Sequence, residues 1–446
     1  MDIRRFIKQS EIDDSLNPQQ KEVVKLAVHE RQNVFMTGPG GVGKSHTIRN
    51  IITTGREGHY ICYATALTGT AAQELKCGAF TIHRWAGIGT GEANLTTLIK
   101  RIRKNKNALE RWKSVDILVI DEISMMSAEL FEKLDIIGQE IRKDSRHFGG
   151  IVVVASGDFY QLPPVSRIIK ARFPFQIDLW FDVFKHNIIL TRNYRQSGDA
   201  KYLKMLNQIR VGRIKKSTFK ALQERIIKDN GELDKREIKP TRLLSLKYKV
   251  NKINSKYFDS LKSDIKLYDL VEIVPEPRES GGFDKRTIKE ELTILKKTNS
   301  SRIASSFASR VGAQVMCSVN YNTELGIVNG SRGVIIKNDV EGPLVKFHNG
   351  ETIKFKPYFI KSDIIPELSI GGIPLIYAWA ITIHKCQGAT LDLCVIDLGK
   401  DVFEAGQAYV ALSRVRNLDG LYITALDIRA FKFRNSVLRF YEKISK

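Results

Sequence analysis

The sequence is poor in cysteine, in long apolar runs and in acid. Its 446 residues include five cysteines, Cys62, Cys77, Cys317, Cys386 and Cys394, scattered with no CxxC pair and unable all to pair with one another. That pattern excludes a disulfide scaffold and a cysteine-built structural zinc, and it points to a reducing, intracellular setting. No stretch approaches the roughly 18 uncharged apolar residues of a membrane span, so an integral membrane protein is not expected. The opening residues 1–14 carry Arg4 and Arg5 but lack the apolar core of a secretory signal. Internal repeats and long low-complexity tracts are missing too, which removes solenoids and fibres from consideration. Acid is in deficit, with 49 Asp and Glu against 71 Lys and Arg, a formal net charge of +22.

What is present describes a folded chain. Hydrophobic residues make up 43% and charged residues 27%, a balance that excludes intrinsic disorder. At roughly 150 residues per domain, the length allows two or three cores. The excess charge points towards a polyanion, with a generally soluble basic surface as the alternative reading. It is unevenly spread: residues 1–190 hold 26 basic and 21 acidic residues, residues 191–446 hold 45 and 28. The second part should therefore meet the polyanion heavily.

Along the first 190 residues, short apolar runs alternate with amphipathic stretches. The runs Val34–Met36, Tyr60–Tyr63, Ile117–Ile120 and Ile151–Val154 have the uninterrupted hydrophobicity of strands buried on both faces of a parallel sheet. Beyond 190 come basic helices such as Tyr202–Arg213, a strand at Arg242–Leu246 and a loop over Val274–Lys289. Short β-like runs follow at Gln314–Val319, Gly333–Lys337, Leu344–His348 and Thr352–Lys356, separated by Asn and Gly turns, as in a small β barrel. The α/β signal resumes at Leu375–Ile381, Leu393–Leu398 and Leu421–Ala425. The expectation is two α/β cores in tandem, the second interrupted.

Directly after the first apolar run stands Gly38-Pro39-Gly40-Gly41-Val42-Gly43-Lys44-Ser45, a complete GxxxxGK[ST] between an expected strand and an expected helix. Such a loop curls backbone N–H groups around phosphate oxygens and points a helix N-terminus at them. Lys44 can reach β- and γ-phosphates, and the Ser45 hydroxyl can hold Mg²⁺. The third run ends in Asp121-Glu122. In a P-loop ATPase the first acid serves the metal and the second activates the attacking water. The fourth run ends in Gly157–Pro164 (GDFYQLPP), which places Asp158 and Gln161 where a γ-phosphate could be sensed. No arginine lies near these motifs, although hydrolysis needs positive charge on the transition state. Arg195 in Leu190–Gln196 (LTRNYRQ) and Arg414 in Tyr409–Arg416 (YVALSRVR) are candidates that composition cannot select.

The assembled motifs resemble the PIF (petite integration frequency) family of superfamily 1 DNA helicases. Ala79–Gly91 (AFTIHRWAGIGTG), Asp121–Arg142, Gly149–Val165 (GGIVVVASGDFYQLPPV), Leu206–Gly212 (LNQIRVG), Val311–Met316, Gly326–Gly333 (GIVNGSRG), Ala378–Asp392 (AWAITIHKCQGATLD) and Tyr409–Leu421 are similar to family stretches and stand in family order. The resemblance implies two RecA-like P-loop domains with parallel sheets, a small insertion in the first and a small β-barrel insertion in the second. On this chain they would be 1–190 with an insertion at about 80–113, then 191–265 with 376–446, interrupted by 266–375. It implies ATP and Mg²⁺, 5′-to-3′ movement on single-stranded DNA, and unwinding of duplex in replication, repair or recombination. Arg195 and Arg414 match the family's arginine-finger positions, Gln20 in Leu16–Lys21 (LNPQQK) its adenine-reading glutamine, and Gly388 the segment coupling nucleotide to DNA. Thr65, Thr68, His83, Thr382 and His384 match its DNA contacts. Hydroxyls and imidazoles suit phosphate contacts that read no sequence. Trp85 and Trp379 are candidates for base stacking, with the core as their ordinary place. The basic stretch Leu95–Trp112 corresponds to an insertion that carries a strand-separating wedge in the family. Departures are Leu67, where proline is usual, and Gln139, where arginine is common. The partners implied are single strands and single/double-strand junctions, with no membrane and with a monomer as the working unit. The nucleus or a cytoplasmic replication site, a viral one included, is the implied location. Two other readings stay open: a helicase of the RecD or Dda branch, and an ATP-switched nucleic-acid remodeller that does not unwind.

Overall fold

All four apolar runs lie in one sheet, each close to its expected place. The computed structural model describes residues 11–164, 171–227, 238–277, 283–300, 302–362, 364–387, 389–391 and 393–445. The first sheet comprises β1 (Val34–Thr37), β2 (Cys62–Ala66), β3 (Phe80–Thr81), β4 (Ile117–Asp121), β5 (Val152–Gly157) and β6 (His186–Ile189). Their spatial order is β3-β2-β4-β5-β1-β6, and every ladder is parallel. The run read at Tyr60–Tyr63 begins its strand at Cys62, because Ile61 is 44% exposed and precedes the buried stretch. β3 and β6 lack a fully buried run, since both lie at sheet edges and are half-buried along their length.

The parallel ladders put the carboxyl ends of β1, β4 and β5 side by side. Thr37 pairs with Gly157, and Ala66 at the end of β2 pairs with Asp121. The loops after these strands therefore gather at one edge, where ligands bind in open α/β sheets. Below it lies an aromatic core. Phe35 meets Trp180 edge-on at 5.0 Å and Phe159 at 5.5 Å, and Phe440 joins them from the C-terminal helix Asn435–Ile444. Such pairs contribute about 0.5–1.5 kcal/mol each beyond their buried area.

The chain divides into two compact units: the first runs to Glu224 and adds Leu398–Asp419 and Leu426 onward, and the second comprises Arg225–Asp397 and Gly420–Ala425. These limits differ from the expected boundaries at 190 and 376. Residues past 190 stay with the first unit because the helix Ala200–Arg210 packs Tyr202 into it, its hydroxyl donating to the Leu412 carbonyl at 2.7 Å. The C-terminal helix stays because Val437, Phe440 and Tyr441 enter the aromatic core. The basic stretch Leu95–Trp112 forms two helices, Leu95–Lys104 and Lys106–Ser114. Asn105 divides them: it ends the first, and its side chain caps the second by accepting from the Ala108 N–H at 3.1 Å.

In the second unit, Thr241–Leu244 lies between Ala380–Thr382 and Cys394–Leu398, parallel to both, with Leu421–Leu426 beyond. The expected strand Leu375–Ile381 is divided, because Leu375–Tyr377 joins a separate five-stranded antiparallel sheet with Gln314–Cys317, Arg332–Asn338, Pro343–Phe347 and Thr352–Lys354. That sheet shares one core with Tyr268 and Phe307 of a two-stranded ladder, the barrel-like insertion. In the stretch read as a loop over Val274–Lys289, residues 278–282 lie outside the described set, and a helix begins at Lys285. Trp85 and Trp379 are both buried core residues, which removes them as base-stacking platforms.

Candidate active site

The phosphate loop follows β1 and leads into the helix Lys44–Glu57. Its turn depends on glycine at two places in particular. Gly41 has φ 87° and a Cβ there would stand 2.5 Å from Arg195 Cβ, while Gly43 has φ 87° and a Cβ would stand 2.5 Å from Gln20 Nε2. Any L side chain would be strained in both conformations and would also displace a neighbour. Val42 is buried and anchors the loop in the core, and Ser45 lies half-buried in the first helical turn. Lys44 Nζ donates to the carbonyls of Gly38 at 2.7 Å and Pro39 at 2.9 Å. Burial holds its pKa below the usual lysine range, opposed by Asp158, Glu122 and Asp121.

The segment 193–195 lies on this loop. Asn193 Nδ2 donates to the Gly40 carbonyl at 2.8 Å, and the Tyr194 N–H donates to Gly41 at 2.8 Å. A Cβ on Gly40 would be 3.6 Å from Arg195 Nη1 and 3.8 Å from Arg414 Nη2. Two guanidinium groups from distant sequence therefore flank the middle of the loop. Both are held: Arg195 Nη1 donates to the Ser413 carbonyl at 3.3 Å, and Arg414, 2% exposed, donates to the Val410 carbonyl at 2.8 Å and Ser413 Oγ at 2.7 Å. The Gly40 N–H donates to the Tyr409 hydroxyl at 3.0 Å, a contact that sequence reasoning did not identify. Gln20 is 1% exposed, and its Nε2 donates to the Gly43 carbonyl at 3.5 Å. A capping box with Asn17 fixes it, each residue's side chain accepting from the other's N–H at 3.0 Å.

Asp121 ends β4 nearly buried, and its Oδ1 accepts from Ser156 Oγ at 2.7 Å. Burial pushes its carboxyl above the usual range, against the Ser156 hydrogen bond and Lys44. A divalent cation would compensate that buried charge, so the donor set of Asp121 with Ser45 fits one. Glu122 adopts left-handed backbone (φ 54°, ψ 40°) and is half-buried, a strained position of the kind found at reactive sites. Gln161 is 5% exposed, and its N–H donates to the Asp158 carbonyl at 2.8 Å.

Asp158 differs from its expected place as a nucleotide contact. Its carboxylate is fully buried and accepts from Arg210 Nε and Nη2, both at 2.8 Å, from the Tyr160 N–H at 3.1 Å and from the Tyr441 hydroxyl at 3.1 Å. It is therefore saturated by protein partners. Arg210 lies in the Leu206–Gly212 stretch, which had signalled family resemblance without a role.

Glu74, on the short helix after β2, is a further group that sequence reasoning missed. Burial raises its carboxyl pKa from 4.5 to about 7; among nearby charges Arg414 opposes the shift, Glu122 favours it, Arg195 opposes it and Asp121 favours it. A raised folded-state pKa means that the folded chain holds a proton that the unfolded chain releases. The stability from that proton is complete below about pH 4.5 and is lost as pH rises through about 7. Glu74→Gln, which mimics the protonated form, should raise the thermal midpoint at about pH 8 and leave it nearly unchanged at about pH 4, below the unfolded value. Equal midpoint differences at both pH values would exclude the shift.

The remaining expected residues divide by unit. In the first, Thr65 departs from expectation: its side chain is buried in the sheet and its hydroxyl donates to the Val119 carbonyl at 2.8 Å, leaving no surface for a phosphate. Thr68 caps the helix Gly69–Glu74, accepting from the Ala71 N–H at 3.1 Å, and is half-buried. His83 is half-buried, and burial lowers its pKa, so it is neutral at pH 7. In the second unit, Thr382 caps the turn Ile383–Cys386, and His384 lies half-buried within it. Lys385 beside them is exposed, and partial desolvation first, then the charge of Lys247, lower its pKa from the usual lysine value. Gly388 lies outside the described residues.

Strand order, phosphate loop and acid-tipped β4 define a RecA-like P-loop protein. A family model described as PIF1-like helicase matches residues 15–220. The zebrafish (Danio rerio) ATP-dependent DNA helicase PIF1 is 37% identical over 433 residues, covering 96% of this chain and 64% of that protein. The chain thus spans just under two thirds of that relative's length. The crystal structure of the Pif1 helicase from Candida albicans superposes with a TM-score of 0.80 at 32% identity, covering 96% of this chain and 99% of that one. A Bacteroides Pif1 helicase solved with ADP-AlF3 and single-stranded DNA gives 0.68 at 27% identity, with 97% of each chain covered. The chain belongs to the PIF1-like helicase family.

Proposed function

We propose that this protein is an ATP-dependent DNA helicase that moves 5′-to-3′ on single strands and unwinds duplex DNA during replication, repair or recombination. The observation that carries the reading is the pair of guanidinium groups, Arg195 and Arg414, each within about 4 Å of the Cβ position at Gly40 in the phosphate loop. A loop that merely stored nucleotide would not need two fixed cations there. Positive charge set in advance where charge develops lowers the barrier to phosphoryl transfer.

In this reading Lys44 and the loop N–H groups of Gly38–Ser45 hold the phosphates, and Gln20 beside Gly43 reads the adenine edge. Ser45 and Asp121 would hold Mg²⁺, which supplies charge neutralisation at the β- and γ-phosphates. Glu122 orients the attacking water, and Gln161 senses the terminal phosphate. Asp158 acts at one remove, by fixing the turn that carries Gln161. Both arginines reach the loop of their own chain, so one copy suffices for hydrolysis. Thr68 and His83 on the first unit, and Thr382, His384 and Lys385 on the second, are the proposed phosphate contacts, with Gly388 as the coupling segment. The sheets around β1 and around Thr241–Leu244 would be the two motor cores, and 266–375 an insertion in the second.

Strand displacement from a 5′-tailed and a 3′-tailed duplex, with Lys44→Ala as control, tests the reading. The 5′-tailed substrate alone should be unwound, and Lys44→Ala should unwind neither. Unwinding from the 3′ tail alone would overturn the polarity. Single-strand-stimulated ATP hydrolysis without displacement on either tail would instead identify a remodeller.

A further inference from the structure

The C-terminal helix Asn435–Ile444 belongs to none of the motifs behind the functional reading, yet its Tyr441 reaches the base of the phosphate loop. The Tyr441 oxygen lies 2.7 Å from Thr37 Oγ1, in the residue immediately before Gly38. It also accepts from the Phe159 N–H at 3.2 Å and donates to Asp158 Oδ1 at 3.1 Å. A phenol has one hydrogen and two lone pairs to offer. With its hydrogen given to Asp158, the Thr37 hydroxyl must be the donor in the first contact, and every site on the oxygen is then used. Burial first, then the Asp158 charge, hold the phenol far above its ordinary pKa, so it remains a donor at neutral pH.

The ring is as tightly placed as the hydroxyl. It stacks on Tyr160 with centroids 4.7 Å apart and 13° between planes. The Arg210 guanidinium, paired with Asp158, lies 4.5 Å from the Tyr160 centroid and 5.3 Å from that of Tyr441. The neighbouring Phe440 fastens the helix by stacking on Phe175 at 4.3 Å. One side chain near the end of the sequence thus ties the strand entering the phosphate loop to the turn Gly157–Leu162 that carries Gln161.

We propose that Tyr441 is a positioning residue of the ATP reaction, locking the entrance of the phosphate loop to the Asp158–Gln161 turn so that Lys44 and Gln161 address the same terminal phosphate. The inference rests on the functional reading above. Through this contact the C-terminal helix becomes part of the nucleotide site, although it supplies no group that touches nucleotide. Removing the hydroxyl leaves the ring stack in place but frees the loop entrance to shift against the turn. Hydrolysis depends on that alignment more than ground-state binding does.

The test uses the full chain with Tyr441→Phe, Thr37→Val, their combination, and Thr37→Ser, assayed for single-strand-stimulated kcat and KM well below each variant's Tm. Tyr441→Phe and Thr37→Val should each lower kcat about tenfold, as expected when one aligning hydrogen bond is lost, with KM within about twofold. The double variant should be no slower than the slower single, because both remove the same contact, and Thr37→Ser should retain the wild-type rate. Unchanged kcat in Tyr441→Phe, or strictly additive losses in the double variant, would overturn the positioning role alone. An unsubstituted chain that hydrolyses no ATP would overturn the functional reading itself, a failure visible before any variant is compared.

Discussion

Arg195→Ala should lower single-strand-stimulated ATP hydrolysis by on the order of 10³–10⁵ while nucleotide binding changes little. The geometry separates the two effects. Phosphate binding belongs to the loop backbone and to Lys44, whose Nζ is held by the carbonyls of Gly38 and Pro39 and does not depend on Arg195. Arg195 instead presents its guanidinium across Gly40, with one nitrogen donating to the Ser413 carbonyl and the rest of the fork directed by the packing of 193–195 on the loop. A cation held this way meets charge as it develops and adds little to ground-state affinity. Lysine cannot reproduce the planar fork, so Arg195→Lys should recover only a small part of the rate. Binding of a fluorescent ADP analogue beside steady-state hydrolysis provides the check. Affinity falling in step with the rate would make the Arg195 guanidinium a brace for the loop, acting through its bond to the Ser413 carbonyl.

How much of this site the sequence discloses depends on how local each signal is. Gly38–Ser45 and Asp121-Glu122 are legible because the chemistry needs those residues at fixed spacing beside a strand, and the strands β1 and β4 stand where the apolar runs placed them. Arg195 and Arg414 are different. Their relevance is a distance across folded chain, so composition could not select them and only the family resemblance did. Thr65 illustrates a failure of a different kind: the motif put a hydroxyl near DNA, but Thr65 falls within a strand buried on both faces, where its hydroxyl must satisfy a backbone carbonyl. The network around Asp158 was illegible for a third reason. Its partners Arg210 and Tyr441 are 52 and 283 residues away, and nothing in the spacing of either announces a partner. The expected domain limits moved for the same cause, since Phe440 and Tyr441 return the C-terminal helix to the first unit.

That network also sets the largest expected stability effect. Arg210→Ala should destabilise the first unit by about 3–5 kcal/mol, the usual consequence of stranding one member of a buried ion pair. Asp158 is fully buried, and both guanidinium contacts are at 2.8 Å. With Arg210 present, burial tends to raise the Asp158 pKa, but the guanidinium's charge and hydrogen bonds outweigh it and the net shift is downward from 3.8. In that state the pair's contribution is present above pH 3.8 and is lost as pH falls through the lower folded value. In Arg210→Ala the balance reverses. Burial then raises the folded pKa above the unfolded one, so the variant loses stability as pH rises and regains part of it on acidification. The deficit should therefore be largest at about pH 7.5 and smaller near pH 5. Adding Asp158→Asn removes the stranded charge and should recover a substantial part of the loss at neutral pH. Urea unfolding followed by tryptophan fluorescence reads this directly, because Trp85, Trp112 and Trp180 are all buried in the first unit. A deficit that is independent of pH and untouched by Asp158→Asn would mean that Arg210 contributes through its stacking on Tyr160 and Tyr441, and not through its charge.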